Sequence, residues 1–247
     1  MELRLDGRTA LVTGAARGIG LAIARAMHSS GARVVLADID GAAVAAAAAD
    51  LGDGAEAITL DVADVGACRE VVRQTIRQRG GLDILVNNAG ICPLRDLEEV
   101  DQEFFDRLMA VNLRGAYFLS QEAAGHMRQR RWGRIINISS VGAKTGGAAD
   151  ISVYCAAKAG LISITKSFAK YLAPYGTANA IAPGLTDTEL SRSWESPDLV
   201  ERIRSSVLLG RLGTPEDYAG AAVFLASEHA SFITGATIDI NGGIRMD

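Results

Sequence analysis

Tyr154 and Lys158 are separated by three residues, in Tyr154-Cys155-Ala156-Ala157-Lys158. On a helix that spacing puts both side chains on one face. An ammonium there favours the phenolate and brings a tyrosine, ordinarily with a pKa of about 10, towards acid–base chemistry. Ser140, a little upstream, adds a hydroxyl that could hold and orient a reacting oxygen. Near the N-terminus a glycine-rich turn suggests a nucleotide for that chemistry to act with. Together these residues describe an enzyme rather than merely a fold.

The turn is Leu11-Val12-Thr13-Gly14-Ala15-Ala16-Arg17-Gly18-Ile19-Gly20, running off an apolar strand into a helix. Gly14 permits a tight turn, and Gly18 and Gly20 let backbone and diphosphate approach. The helix start then offers free N–H groups and a positive dipole end to phosphates. The spacing is Gly-x-x-x-Gly-x-Gly, not the usual Gly-x-Gly-x-x-Gly, so the surrounding strands must support it. They do. Asp38 ends the second strand, where a carboxylate can accept both ribose hydroxyls of NAD and repel a 2′-phosphate. Asp38 could equally cap the helix that begins near Gly41. Arg17 points the other way, since a guanidinium beside the adenosine ribose favours NADP. No basic residue follows Asp38, so NAD is the expected cofactor and NADP the lesser one. Asp61-Val62 ends the third strand, where the pair could meet adenine, and Asn88-Ala89-Gly90 ends the fourth.

These residues need strands to carry them. Candidate strands are Thr9–Thr13, Arg33–Ala37, Ala55–Leu60, Ile84–Val86, Arg134–Ile138, Ala178–Ala182 and Thr237–Ile240. Several are nearly continuous in apolar residues, as for strands buried on both faces of a parallel sheet. Helical segments lie between them at Gly18–Ser30, Asp64–Arg79, Gln102–Arg128 and Ser152–Leu172, with an alanine-rich surface helix at Ala42–Ala49. The alternation predicts a doubly wound α/β fold: a Rossmann-type parallel sheet of about seven strands, helices on both faces, in a single domain. Residues 185–210 carry no strand signal, include Trp194 and Pro197, and read as a substrate lid or a peripheral helical excursion.

Bulk properties narrow the partners. The 247 residues are 49% hydrophobic, enough for a sizeable core. A net charge of −4 makes no electrostatic case for nucleic acid or an anionic membrane. The one dense basic run, Arg128 to Arg131, suits a helix C-terminus. No stretch is long and apolar enough to span a bilayer, and the N-terminus lacks an apolar signal region. Three cysteines and three scattered histidines predict neither a disulfide framework nor a metal site. The expected compartment is the cytoplasm.

Over essentially its whole length the chain resembles the short-chain dehydrogenase/reductase family. The resemblance rests on Thr13-Gly14 to Gly20, Asn87-Asn88-Ala89-Gly90, Asn112, Ser140, the Tyr154/Lys158 pair and Pro183-Gly184, in that order. Singly, the tyrosine–lysine pair could be a surface pair, Ser140 a turn residue and Asn112 a helix bend. The resemblance implies that Tyr154 is the base in alcohol oxidation and the acid in ketone reduction. It implies that Lys158 lowers the tyrosine pKa and holds the nicotinamide ribose, and that Ser140 orients the substrate oxygen. It also implies a proton relay through a helix kink at Asn112, and nicotinamide contacts from Pro183, Gly184, Thr186 and Thr188. A homotetramer built through two long helices and the last strand is a further implication.

Two departures stand out. Ser140 and Tyr154 are one residue further apart than is common, which places an insertion in 142–151, a wall of the substrate pocket. The run before Asn179 is one residue short, which puts the start of that strand in question. The pocket walls, at 91–94, 141–151 and the lid with Leu185, Leu190 and Trp194, are mostly small and apolar, with Lys144 and Asp150 as exceptions. They suit a modest secondary alcohol or ketone, with sugars and polyols open. The rival readings are an NADPH-dependent 3-oxoacyl carrier-protein reductase and a nucleotide-binding regulator without catalysis. Asp38 weighs against the first, and the intact Tyr154/Lys158 pair against the second.

Overall fold

A computed structural model of the chain describes residues 2–192, 201 and 204–246, except for the side chains of Leu190 and Arg192. Seven parallel strands form one sheet in the order β3-β2-β1-β4-β5-β6-β7. They are β1 Thr9–Thr13, β2 Arg33–Asp38, β3 Ala55–Thr59, β4 Ile84–Asn87, β5 Gly133–Ile138, β6 Gly176–Pro183 and β7 Thr237–Ile240. The helices between them are α1 Gly18–Ser29, α2 Gly41–Leu51, α3 Val65–Arg79, α4 Gln102–Met109, α5 Gly115–Arg130, α6 Gly142–Thr145, α7 Ser152–Leu172, α8 Glu189–Arg192 and α9 Glu216–Ala226.

The strands read as apolar runs because both sheet faces are covered. Alternate residues point to opposite layers. Ala10, Val12, Val34, Leu36, Ile84 and Val86 face the side packed with residues of α1, α2 and α9. Leu11, Val35, Leu85 and Ile135 face the side packed with residues of α3, α5 and α7. The register Leu11↔Val35 and Leu11↔Leu85 lines these rows up across the centre of the sheet.

The chain winds outward from β1 to β3, then returns to β4 on the other side of β1. A crevice therefore opens between the carboxyl ends of β1 and β4, where such sheets bind ligands.

Three expectations are corrected. The helix expected over 102–128 is broken at the place where the resemblance implies a kink: α4 stops at Met109 and Ala110–Arg114 is a π-helical turn before α5. The cause is Asn112, whose buried side chain bonds the backbone of Ile91 and the Leu108 carbonyl. The strand expected from Ala178 begins at Gly176, which pairs with Gly133. A Cβ at Gly176 would lie 2.7 Å from the Gly133 carbonyl oxygen, so glycine here serves close strand approach and not a turn. The cap of α2 is Asp40, which accepts from the Ala43 N–H, and not Asp38.

Candidate active site

The glycine turn is braced from both sides. Gly14 and Gly18 adopt positive φ, +63° and +56°. The Asn88 side chain donates to the Thr13 and Gly14 carbonyls at 3.0 and 2.9 Å. Asp38 accepts from the Ala16 N–H at 3.0 Å and from the Asp40 N–H at 3.1 Å. A Cβ at Gly20 would lie 2.1 Å from the Gly14 carbonyl oxygen, so α1 can start this close to β1 only with glycine there. Arg17, the residue before α1, makes no side-chain cap bond, which leaves first-turn N–H groups for an anion. Thr13, overlooked as a site residue in the sequence, ties the two strand ends together: its hydroxyl accepts from Asn88 N and Ala89 N.

A cleft of 630 Å³ runs along these residues. Gly14, Arg17, Gly18 and Ile19 form one end of it, at the start of α1, with Asp38, Asp61 and Val62 beyond. Asn88, Ala89 and Gly90 form its inner wall. This is the shape and chemistry of a dinucleotide site: an uncapped helix start, a Cβ-free floor and a carboxylate at the ribose position. Arg17 is not a bare cation there. It pairs with Asp40 of the α2 start and with Glu189 of α8. Asp61 accepts from the Ala63 N–H and is paired with Arg107 at 3.3 Å.

A second cavity, of 500 Å³, gathers the residues expected to do acid–base chemistry. Tyr154, Ser140 and Lys158 all line it, and it meets the first cleft at Ile19, Asn88, Gly90 and Thr188. Tyr154 and Lys158 leave α7 on one side, with the Lys158 Nζ 5.7 Å from the phenol ring centre. Lys158 is 3% exposed and donates to the Ile138 carbonyl at 2.9 Å. Burial pulls its pKa down to about 8. Burial also pushes the Tyr154 phenol up, opposed by a hydrogen bond with Ser140. The depression of the phenol expected from Lys158 is therefore absent from the protein's own balance, where burial dominates.

Asn112 stands behind this pair. A Cβ at Gly90 would lie 2.7 Å from Asn112 Oδ1 and 3.2 Å from Lys158 Nζ, so a bare glycine lets all three groups meet. The i→i+5 turn at Asn112 loosens the regular carbonyl ladder beside the lysine. Ser139, the residue before Ser140, is buried and donates to the Lys158 carbonyl at 2.8 Å. Asn87, Ser120, Asn137 and Thr165 form a buried hydrogen-bonded chain joining β4, β5, α5 and α7. A polar residue in an apolar strand, as at Asn87 and Asn137, was the available signal for it.

Beyond Pro183-Gly184, the two threonines differ. The Thr186 hydroxyl lies 2.6 Å from the Tyr218 hydroxyl and donates to the Gly184 carbonyl. Thr188 stands over Gly18 at the junction of the cavities. The base of the 185–210 segment is fixed by a bridge from Thr186 to Gly213 and by the Leu209 N–H to the Gly242 carbonyl. Trp194, Pro197 and the Leu190 side chain lie outside the described residues. Lys144 turns to Asp239 of β7, whereas Asp150 lines the catalytic cavity. No described helix is long and apolar enough to cross a membrane.

Comparison with known proteins agrees with this geometry. Residues 14–245 match the family model described as enoyl-(acyl carrier protein) reductase. Galactitol 2-dehydrogenase of Agrobacterium fabrum is 40% identical, covering 99% of this chain and all of the relative. A 3-oxoacyl-(acyl-carrier-protein) reductase of Haemophilus influenzae is 41% identical, covering 98% and 100%. The crystal structure of a putative short-chain alcohol dehydrogenase from Sinorhizobium meliloti superposes with a TM-score of 0.93 at 37% identity, covering 99% of this chain and 98% of that one. The chain belongs to the short-chain dehydrogenase/reductase family and is an oxidoreductase of the nicotinamide-linked alcohol and ketone class.

Proposed function

We propose that this enzyme oxidises a secondary alcohol of a small neutral substrate, polyols included, with NAD as the preferred cofactor and Tyr154 as the acid–base group. The carrying observation is the meeting of Tyr154, Ser140 and Lys158 with the dinucleotide cleft at Gly90 and Thr188. Bound along Gly14 to Asp38, the dinucleotide supplies the hydride acceptor. The residues of this chain do the rest. Ser140 hydrogen-bonds the substrate oxygen and fixes its direction. Tyr154 takes the hydroxyl proton in oxidation and returns it in reduction. Lys158, once charged, offsets the cost that burial places on the phenolate. The π turn at Asn112 lies beside Lys158 as the route by which that proton leaves.

The preference for NAD rests on Asp38 at the ribose position and on Arg17, whose charge is already shared by Asp40 and Glu189. Identity to the two relatives is equal within a per cent, so overall similarity does not choose between a polyol and a carrier-bound 3-oxoacyl substrate. Asp38 favours the first, since it repels a 2′-phosphate. The protein is read as a homotetramer, with one interface along α5 and α7 and one beside β7. Its three free, buried cysteines suit a cytoplasmic setting.

Initial rates on alcohols, polyols and ketones with each cofactor test this reading. Tyr154→Phe should lose about a hundredfold or more in turnover while NADH binding, followed by fluorescence, stays within about twofold. Asp38→Ala should erode the NAD preference by about tenfold. A Tyr154→Phe enzyme of normal rate would remove the assigned role, and a wild-type preference for NADP would pass the reading to the carrier-protein reductase.

A further inference from the structure

The catalytic cavity carries a carboxylate that the reaction does not need. Asp150 lies four residues before Tyr154, in the 3₁₀ turn Ala149–Ile151 that leads into α7, inside the segment lengthened by one residue. The turn is held to the opposite wall by the Arg95 N–H donating to the Asp150 carbonyl at 3.0 Å. Asp150 does not cap α7, whose start has no side-chain cap bond. Its carboxylate enters no hydrogen bond or ion pair with a described residue. It is partly buried and lines the cavity. A partly buried carboxylate that opens on a cavity takes its donors from water or from the hydroxyls of a bound ligand.

The rest of the wall says what kind of donor. Among the described residues that line the cavity, Asp150 is the sole carboxylate and Lys158 the sole cation. The Lys158 ammonium is already held by the Ile138 carbonyl. Thr145, Thr188 and Ser206 add neutral hydroxyl-bearing side chains to the walls. An anionic substrate would meet Asp150 with no second cation to offset it. A neutral molecule with a second hydroxyl would donate to it.

Resting on the oxidoreductase reading above, we infer that Asp150 is a specificity-determining residue: it accepts a hydrogen bond from a hydroxyl remote from the reacting carbon, selecting neutral polyols over both sugar acids and simple alcohols. A hydrogen bond to a charged acceptor of this kind is worth about tenfold to a hundredfold in kcat/KM.

The test uses the full-length enzyme with NAD and three probes: galactitol or sorbitol, D-gluconate, and cyclohexanol, which has one hydroxyl. Wild-type kcat/KM should be highest for the neutral polyols. Asp150→Asn should lower the ratio of polyol to cyclohexanol kcat/KM by about tenfold, mainly through KM, and should raise gluconate relative to polyol. Asp150→Glu should recover part of the ratio. A loss shared equally by polyol and cyclohexanol would mark Asp150 as structural and overturn the inference. So would a wild-type preference for gluconate or for cyclohexanol, while leaving the oxidoreductase reading in place. Absence of NADH formation from every alcohol, with NADH still bound, would remove that reading and this inference together.

Discussion

Lys158 shows most plainly what the proposed catalytic residues cost. Its pKa is lowered to about 8 by burial, so the folded protein favours the neutral amine more than the unfolded chain does. The stability cost is full below about pH 8 and vanishes as pH rises past the ordinary lysine value near 10.4. A shift of that size corresponds to about 3 kcal/mol. Lys158→Met removes it but leaves the Ile138 carbonyl without its donor, which returns about 1–3 kcal/mol. The variant should therefore lose activity at neutral pH yet melt no lower than wild type, with the gap moving against the variant as pH rises to about 10. Thermal melts at both pH values check this; a gap independent of pH would show that burial does not act on the charge. The identities of Tyr154, Lys158 and Ser140 were legible from spacing. The direction of the tyrosine's shift was not, because the spacing of two residues carries no information about the apolar walls around them.

The elements that place these residues depend on a few positions where no side chain fits. Gly20 is the tightest, with a Cβ position 2.1 Å from the Gly14 carbonyl oxygen and 2.5 Å from Asn88 Nδ2. Gly20→Ala must push α1 away from β1 or displace Asn88, and either opens the anion site. A loss of about 2–4 kcal/mol in stability and a larger proportional loss in NADH affinity are expected. Denaturant unfolding and fluorescence titration measure the two, and unchanged NADH binding would show that the turn is not the phosphate site. The glycines and the strand–helix alternation were readable because they are local. The π turn at Asn112 was not readable from periodicity: Gln102 to Arg128 is apolar at helical spacing throughout, and the break is set by Ile91, twenty-one residues away. The start of β6 at Gly176 was hidden for the same reason, since it is set by pairing with Gly133 on a neighbouring strand.

At the scale of the whole molecule, strand alternation implied the architecture but not the position of the crevice, which depends on the order of strands across the sheet. Nor does alternation reveal what the surface does. Phe232 is 102% exposed, and Leu208 and Leu209 are exposed beside the glycines that follow β7. Tyr117 of α5 is exposed as well, and its ring packs against Phe118 and Phe168. Two distinct self-complementary patches on one chain generate a closed dihedral tetramer, in which losing one patch leaves a dimer. Gly160 on α7 lets the Leu113 side chain of the same chain lie close to the helix backbone. Phe232→Asp alters a side chain with no buried surface in the isolated chain, so it should change monomer stability by less than about 0.5 kcal/mol. It should nonetheless convert a species of four chain masses into one of two, seen by light scattering on a sizing column. A variant still at four chain masses would take Phe232 out of the interface, and a wild-type protein at one chain mass would remove the tetramer altogether. Because a single chain supplies Ser140, Tyr154 and Lys158 to the cavity, a dimer should keep its turnover and lose only its resistance to heat.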